Sequence, residues 1–110
     1  LITRDVEHQS WCTWLDNRSR DHLLALRFAA LAYRSDHGSW PASITDLAPK
    51  YLRTVPDDPF HPWHPLKMRL DNGSIIFYSV GPDGIDDGGK PIKGRAHEDS
   101  KGDITIELQP

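Results

Sequence analysis

Apolar residues in the first third of the chain recur three and four apart. Leu24, Phe28 and Leu31 share a stripe with Ser35, and Leu23, Leu26, Ala30 and Tyr33 lie beside it. That period predicts a helix over about residues 3–37, with this stripe turned to the core. Alanine at 25, 29, 30 and 32 favours helix and lets another element approach closely. Upstream, "DNRSRD" (16–21) is polar and holds cap-forming residues, which raises a break near Asn17 as an alternative. Trp11, Trp14 and Leu15 continue an apolar face and favour one long helix. Gly38 suits a left-handed helix end.

From 38 to 65 the period disappears. Six of the nine prolines fall here, each removing a donor and restricting the residue before it. An irregular loop is expected, with one short helical turn capped by Ser43, Asp46 three residues on, and Leu47 facing inward. Trp40, Tyr51, Leu52, Phe60 and Trp63 are the residues expected to pin it.

The period then becomes two. Leu66, Met68 and Leu70 alternate with Lys67, Arg69 and Asp71, as in a half-buried strand. Asn72-Gly73 signals a tight hairpin, because a type I′ turn needs positive φ at both positions. "SIIFYSV" (74–80) supplies the return strand. "DITIEL" (103–108) reads as a third, with Ile104, Ile106 and Leu108 on one face. The pattern predicts a single α+β domain over 1–110: a long N-terminal helix, a proline-rich connection (38–65) and a small antiparallel sheet (66–108).

Composition narrows the function. The 110 residues carry a net charge of −3 with both signs interspersed, so no nucleic-acid footprint exists. No run of about 18 apolar residues occurs, so membrane contact would need a segment upstream. The chain starts at Leu1 rather than Met, which raises the expectation of such upstream sequence. One cysteine, Cys12, excludes an internal disulfide, and its place beside Trp11 and Trp14 predicts a buried, inert thiol.

Catalytic signals are weak. His61 and His64 stand three apart near Asp57 and Asp58, a spacing that could hold zinc on a helix. Pro59, Pro62 and Pro65 exclude a regular helix there. His8, His22, His37 and His97 share no spacing, and Gly88-Gly89 lack the other parts of a phosphate cradle. No credible acid–base pair stands out, and the chain reads as a non-enzyme.

The richest segment is "YSVGPDGIDDGG" (78–89), with Asp83, Asp86 and Asp87 among four glycines. Like charges crowded together need relief. A bound cation would provide it. So would a solvated turn whose carboxylates take nearby backbone N–H groups.

Taken in order, "AYRSDHGSWP" (32–41), "ITDL" (44–47), "VPDDPF" (55–60), "PLKMRL" (65–70) and "IIFYSVGPDGIDDGG" (75–89) form an ordered set. With Asp103-Ile104 beginning the last strand, the set resembles the soluble part of the major pseudopilin of type II secretion systems. The resemblance covers residues 24–106. It implies a pilin-like fold and a non-enzymatic subunit of a secretion pseudopilus or related assembly in the periplasm or cell envelope. Partners would be further copies or other pseudopilin-like subunits. It also implies one structural calcium ion, which takes six to eight oxygens. Asp83 matches the first carboxylate ligand, and Val80 and Ile85 match positions that offer backbone carbonyls. For the second carboxylate Asp86, Asp87, Asp99 and Asp103 compete, and Asp87 and Asp103 complete the candidate set. The chain departs from the pattern in two ways: it shows no methylation signal with an apolar anchoring helix, and its 83–103 loop is longer. The alternative is a C-terminal binding module of a larger envelope protein with no secretion role.

Overall fold

The N-terminal pattern forms one uninterrupted helix, α1 (Arg4–His37), with no break at Asn17. The computed structural model describes residues 4–92 and 101–110, with side chains from residue 11 onward. The buried face of α1 runs through Cys12, Leu15, Ser19, Leu23, Leu26 and Ala30, with Ala29 beside it. The expected core stripe is therefore corrected. Leu24, Phe28 and Leu31 are 42%, 63% and 40% exposed and lie on the outer side. Both stripes have helical spacing, so period alone does not choose between them. The inner one is continuous over more turns, and its small residues admit the sheet at close range. Trp11 and Trp14, expected to extend the core face, are more than half exposed, while Cys12 is buried as predicted. Gly38 ends the helix at φ +80°, donating its N–H to the Arg34 carbonyl at 2.7 Å.

Beyond α1, the turn Ile44–Leu47 has the expected capping box: Ser43 caps it, and Asp46 Oδ2 accepts from the Ser43 N–H at 3.1 Å. Leu47 is fully buried. Trp40 donates its indole N–H to the Gly73 carbonyl at 2.8 Å, and Tyr51 donates its hydroxyl to Asp36 at 2.6 Å. Trp40, Tyr51, Leu52 and Phe60 pack against the core, as expected. Trp63 does not; it is 89% exposed. The segment is also less irregular than its prolines suggested. Strands β1 (Asp57–Asp58) and β2 (His61–Pro65) form an antiparallel ribbon with a register shift between Asp57 and Asp58. Prolines survive here because a two-stranded ribbon is all edge.

The main sheet has the order β3 (Lys67–Asp71), β4 (Ser74–Ser79), β5 (Ile104–Leu108), antiparallel throughout. Asp71 pairs with Ser74 around Asn72 (φ 49°) and Gly73 (φ 86°), the predicted hairpin. The α+β arrangement, a long N-terminal helix on small antiparallel sheets, is the one expected. Helix α1 lies over β5 and β4 rather than β3. Leu70 is accordingly 49% exposed instead of turned into the core.

Every residue of β4 is buried. Ile75 and Phe77 join the core with Leu23, Leu26, Leu47, Leu66 and Ile104. Ile76 and Tyr78 point the other way, and the backbone of Gly89 lies over them. A Cβ built on Gly89 would sit 3.3 Å from Ile76 and 3.6 Å from Tyr78. The aspartate–glycine loop thus folds back as a cover over the outer face of the sheet.

Candidate functional site

The loop begins where β4 ends, and that exit is held by a carboxylate from the proline-rich segment. Asp58 is buried and accepts three hydrogen bonds. The Ser79 hydroxyl donates to Oδ1 at 2.6 Å, the Val80 N–H to Oδ2 at 2.8 Å, and the Phe60 N–H to Oδ1 at 2.9 Å. Gly81 follows at φ +75°, and a Cβ there would stand 2.9 Å from the Gly102 carbonyl oxygen. The two ends of the loop therefore adjoin, backbone against backbone.

Within the loop Asp83, Asp86 and Asp103 capture N–H groups. Asp83 Oδ1 accepts from Ile85 at 3.0 Å, and its Oδ2 from Gly102 at 3.4 Å. Asp86 Oδ1 accepts from Gly88 at 2.9 Å. Asp103, fully buried, accepts from the Asp87 N–H at 3.1 Å and the Gly89 N–H at 2.8 Å, both on Oδ2. The Asp103 backbone ties the far end, donating to the Lys90 carbonyl at 2.6 Å and accepting from Ile92 at 3.0 Å.

Charge is concentrated at one point of this network. Burial pushes the Asp103 carboxyl up to about 6 from 3.8; its two backbone donors oppose the shift, and Asp87 and Asp86 add to it. Burial also pushes the Tyr78 hydroxyl up to about 12, helped by its hydrogen bond to Asp86. Asp87 Oδ2 is buried with no hydrogen-bond partner. A cation at this end would satisfy that oxygen and relieve the repulsion among Asp86, Asp87 and Asp103.

The predicted ligand set is only partly assembled. Asp87 and Asp103 come together. Asp83 sits at the start of the loop, its Oδ2 on the N–H of Gly102, the residue before Asp103. Val80 is buried with its N–H on Asp58, and Ile85 is 60% exposed with its N–H on Asp83. Asp99 lies outside the described residues, as do His97 and the side chain of His8. Among the described residues no group of three His, Cys, Asp or Glu converges to hold a metal. Calcium would therefore have to draw Asp83 towards Asp87 and Asp103.

Sequence reasoning passed over Asp58 as a structural hub, placing it instead beside the histidines. A local signal existed: an aspartate two residues before Phe60 readily accepts that residue's N–H. Nothing local marks its bonds to Ser79 and Val80. His61 and His64 lie on a strand, not a helix, as their prolines require. The two imidazole rings stack at 3.8 Å between centroids, 17° from parallel. His22 is held below the ordinary imidazole range, by burial first and then by Arg18.

No family model matches this chain, and neither does any curated protein or solved structure.

Proposed function

We propose that this chain is a non-enzymatic, pseudopilin-like subunit of an envelope assembly, working through protein contacts along α1. The observation that carries the reading is the second apolar face of that helix. Leu24, Phe28 and Leu31 stand on the outer side, each at least 40% exposed, while Leu23, Leu26 and Ala30 fill the core. A helix with one buried and one bare apolar stripe is suited to an assembly in which further helices cover the second. No helix among the described residues is long and apolar enough to cross a membrane. Calcium belongs to the same proposal, held by Asp87 and Asp103 with Asp83 and the carbonyls of Val80 and Ile85.

The accessory-module reading draws on a different surface. A groove of about 360 Å³ between α1 and the ribbon is lined by Trp14, Arg18, His22, Asp57, Pro62 and Trp63. It would suit a binding module.

One experiment separates the two. Chemical cross-linking of the full reading frame in its own envelope should give ladders for the parent, and Phe28→Glu should abolish them. Circular dichroism of the variant should stay unchanged, because Phe28 lies outside the core. Ladders that persist in Phe28→Glu and vanish in Trp14→Glu would overturn the reading in favour of the groove.

A further inference from the structure

The two histidines of the ribbon occupy a place that a regular strand would deny them. Residues three apart on a strand point to opposite faces. His61 and His64 nevertheless stack face to face, both exposed, with ring centroids 3.8 Å apart. The cause lies in the backbone between them. Asp58 pairs with His61 and Asp57 with Pro65, so Pro62, Trp63 and His64 bulge from the ladder. Trp63 sits at φ 72°, in the left-handed region that a bulky side chain rarely enters. Such strain persists only where its surroundings enforce it, and it concentrates at functional sites. Burial of Trp63 does not compensate for it, since the residue is 89% exposed.

We propose that His61 and His64 form a two-histidine chelate for a divalent transition cation of the zinc or copper class. Neutral imidazole is a preferred ligand of these ions, whereas calcium and magnesium demand oxygen. The 3.8 Å stack holds the two imidazoles within reach of one ion, and binding requires the rings to splay from parallel so that one nitrogen of each turns towards it. Prolines at 59, 62 and 65 limit the backbone freedom that binding would otherwise remove. The nearest carboxylate in register, Asp58, is held inward by Ser79, Val80 and Phe60. Asp57, exposed and opposite Pro65, is the other carboxylate of the ribbon, and the remaining coordination positions stay open to it, to water or to a donor from a second molecule. This site is independent of the aspartate loop and of the assembly proposed above.

The test uses the intact chain and the metal alone. Cu²⁺ or Zn²⁺ is titrated while Trp fluorescence and the imidazole NMR signals of His61 and His64 are followed. One ion per chain is expected to perturb both rings together and the emission of Trp63. His61→Gln and His64→Gln should each weaken binding by about tenfold or more. His22→Gln should not, and Ca²⁺ at the same concentration should leave both rings unmoved. Equal affinity in the parent and both single variants, or ring signals that do not move, would overturn the chelate.

Discussion

Asp58 gathers three donors onto one buried carboxylate, two of them, Ser79 and Val80, from a distant segment and the third from nearby Phe60. Asp58→Ala would leave the Val80 N–H and the Ser79 hydroxyl in the interior without an acceptor. The loss should reach about 3 kcal/mol or more in urea unfolding, and Asp58→Asn should lose less because one acceptor oxygen remains. A change in Asp58→Ala below about 1 kcal/mol would show the hub to be incidental. Asp103 makes a second prediction, through pH. Its carboxyl titrates near 6 in the fold against 3.8 ordinarily, so the folded state holds that proton more tightly. Its stabilising contribution is complete below 3.8 and is lost as pH rises to about 6, on the order of 3 kcal/mol. In metal-free buffer Asp103→Asn should remove that decline, and a variant with the parent's pH profile would refute it. The aspartates were visible in the sequence as a cluster, but their division of labour was not. Asp58 reaches partners 21 and 22 residues away, and no local spacing encodes such a reach.

Elements were legible wherever short-range chemistry decides them. The Asn72-Gly73 hairpin, the Ser43 capping box and the Gly38 helix end each depend on a few neighbouring residues. The face of α1 was not legible, because two stripes of similar spacing compete and only the sheet's position chooses. The ribbon was hidden for a related reason, since proline reads as a breaker unless the strand is an edge. The burial of β4 on both faces had a signal, the unbroken apolar run of "IIFY" (75–78), whose second cover is the loop itself. That cover depends on close backbone approach at the loop's ends. Gly81→Ala would place a methyl 2.9 Å from a carbonyl oxygen at φ +75°. Gly84, at φ +68°, has nothing within 4 Å of the same methyl, so Gly84→Ala carries the backbone strain alone. Gly81→Ala should therefore lower the melting temperature more than Gly84→Ala, with a total cost of roughly 1–3 kcal/mol or above. Equal melting of the two variants would mean that the ends of the loop are not in contact.

At the scale of the whole molecule, an ion is expected to fasten the sheet's margin. A calcium ion held between Asp83 and the Asp87–Asp103 pair would join the exit of β4 to the start of β5. A ligand that binds only the folded state contributes about 2.7 kcal/mol at 100 times its dissociation constant. Chelation should then lower the melting temperature by on the order of 10 °C, and Asp87→Ala should abolish the difference. Identical melting curves in calcium and in chelator would leave Asp83, Asp86 and Asp103 as turn formers held by their backbone donors. Whichever outcome holds, the meeting of Gly81 with Gly102 separates the length of the loop's free tip from the integrity of the domain. The chain leaves the sheet and returns at one point. In between, the stretch from Asp87 to Ile92 covers Ile76 and Tyr78 and bonds to Asp103, while a Cβ on Gly84 would meet nothing within 4 Å. Doubling the length of such a tip costs only about 0.6 kcal/mol in closure entropy. An epitope spliced in beside Gly84 would be carried as cargo without any rewriting of the helix or the sheet, whereas the same insertion between Asp87 and Gly89 would lift the cover from β4.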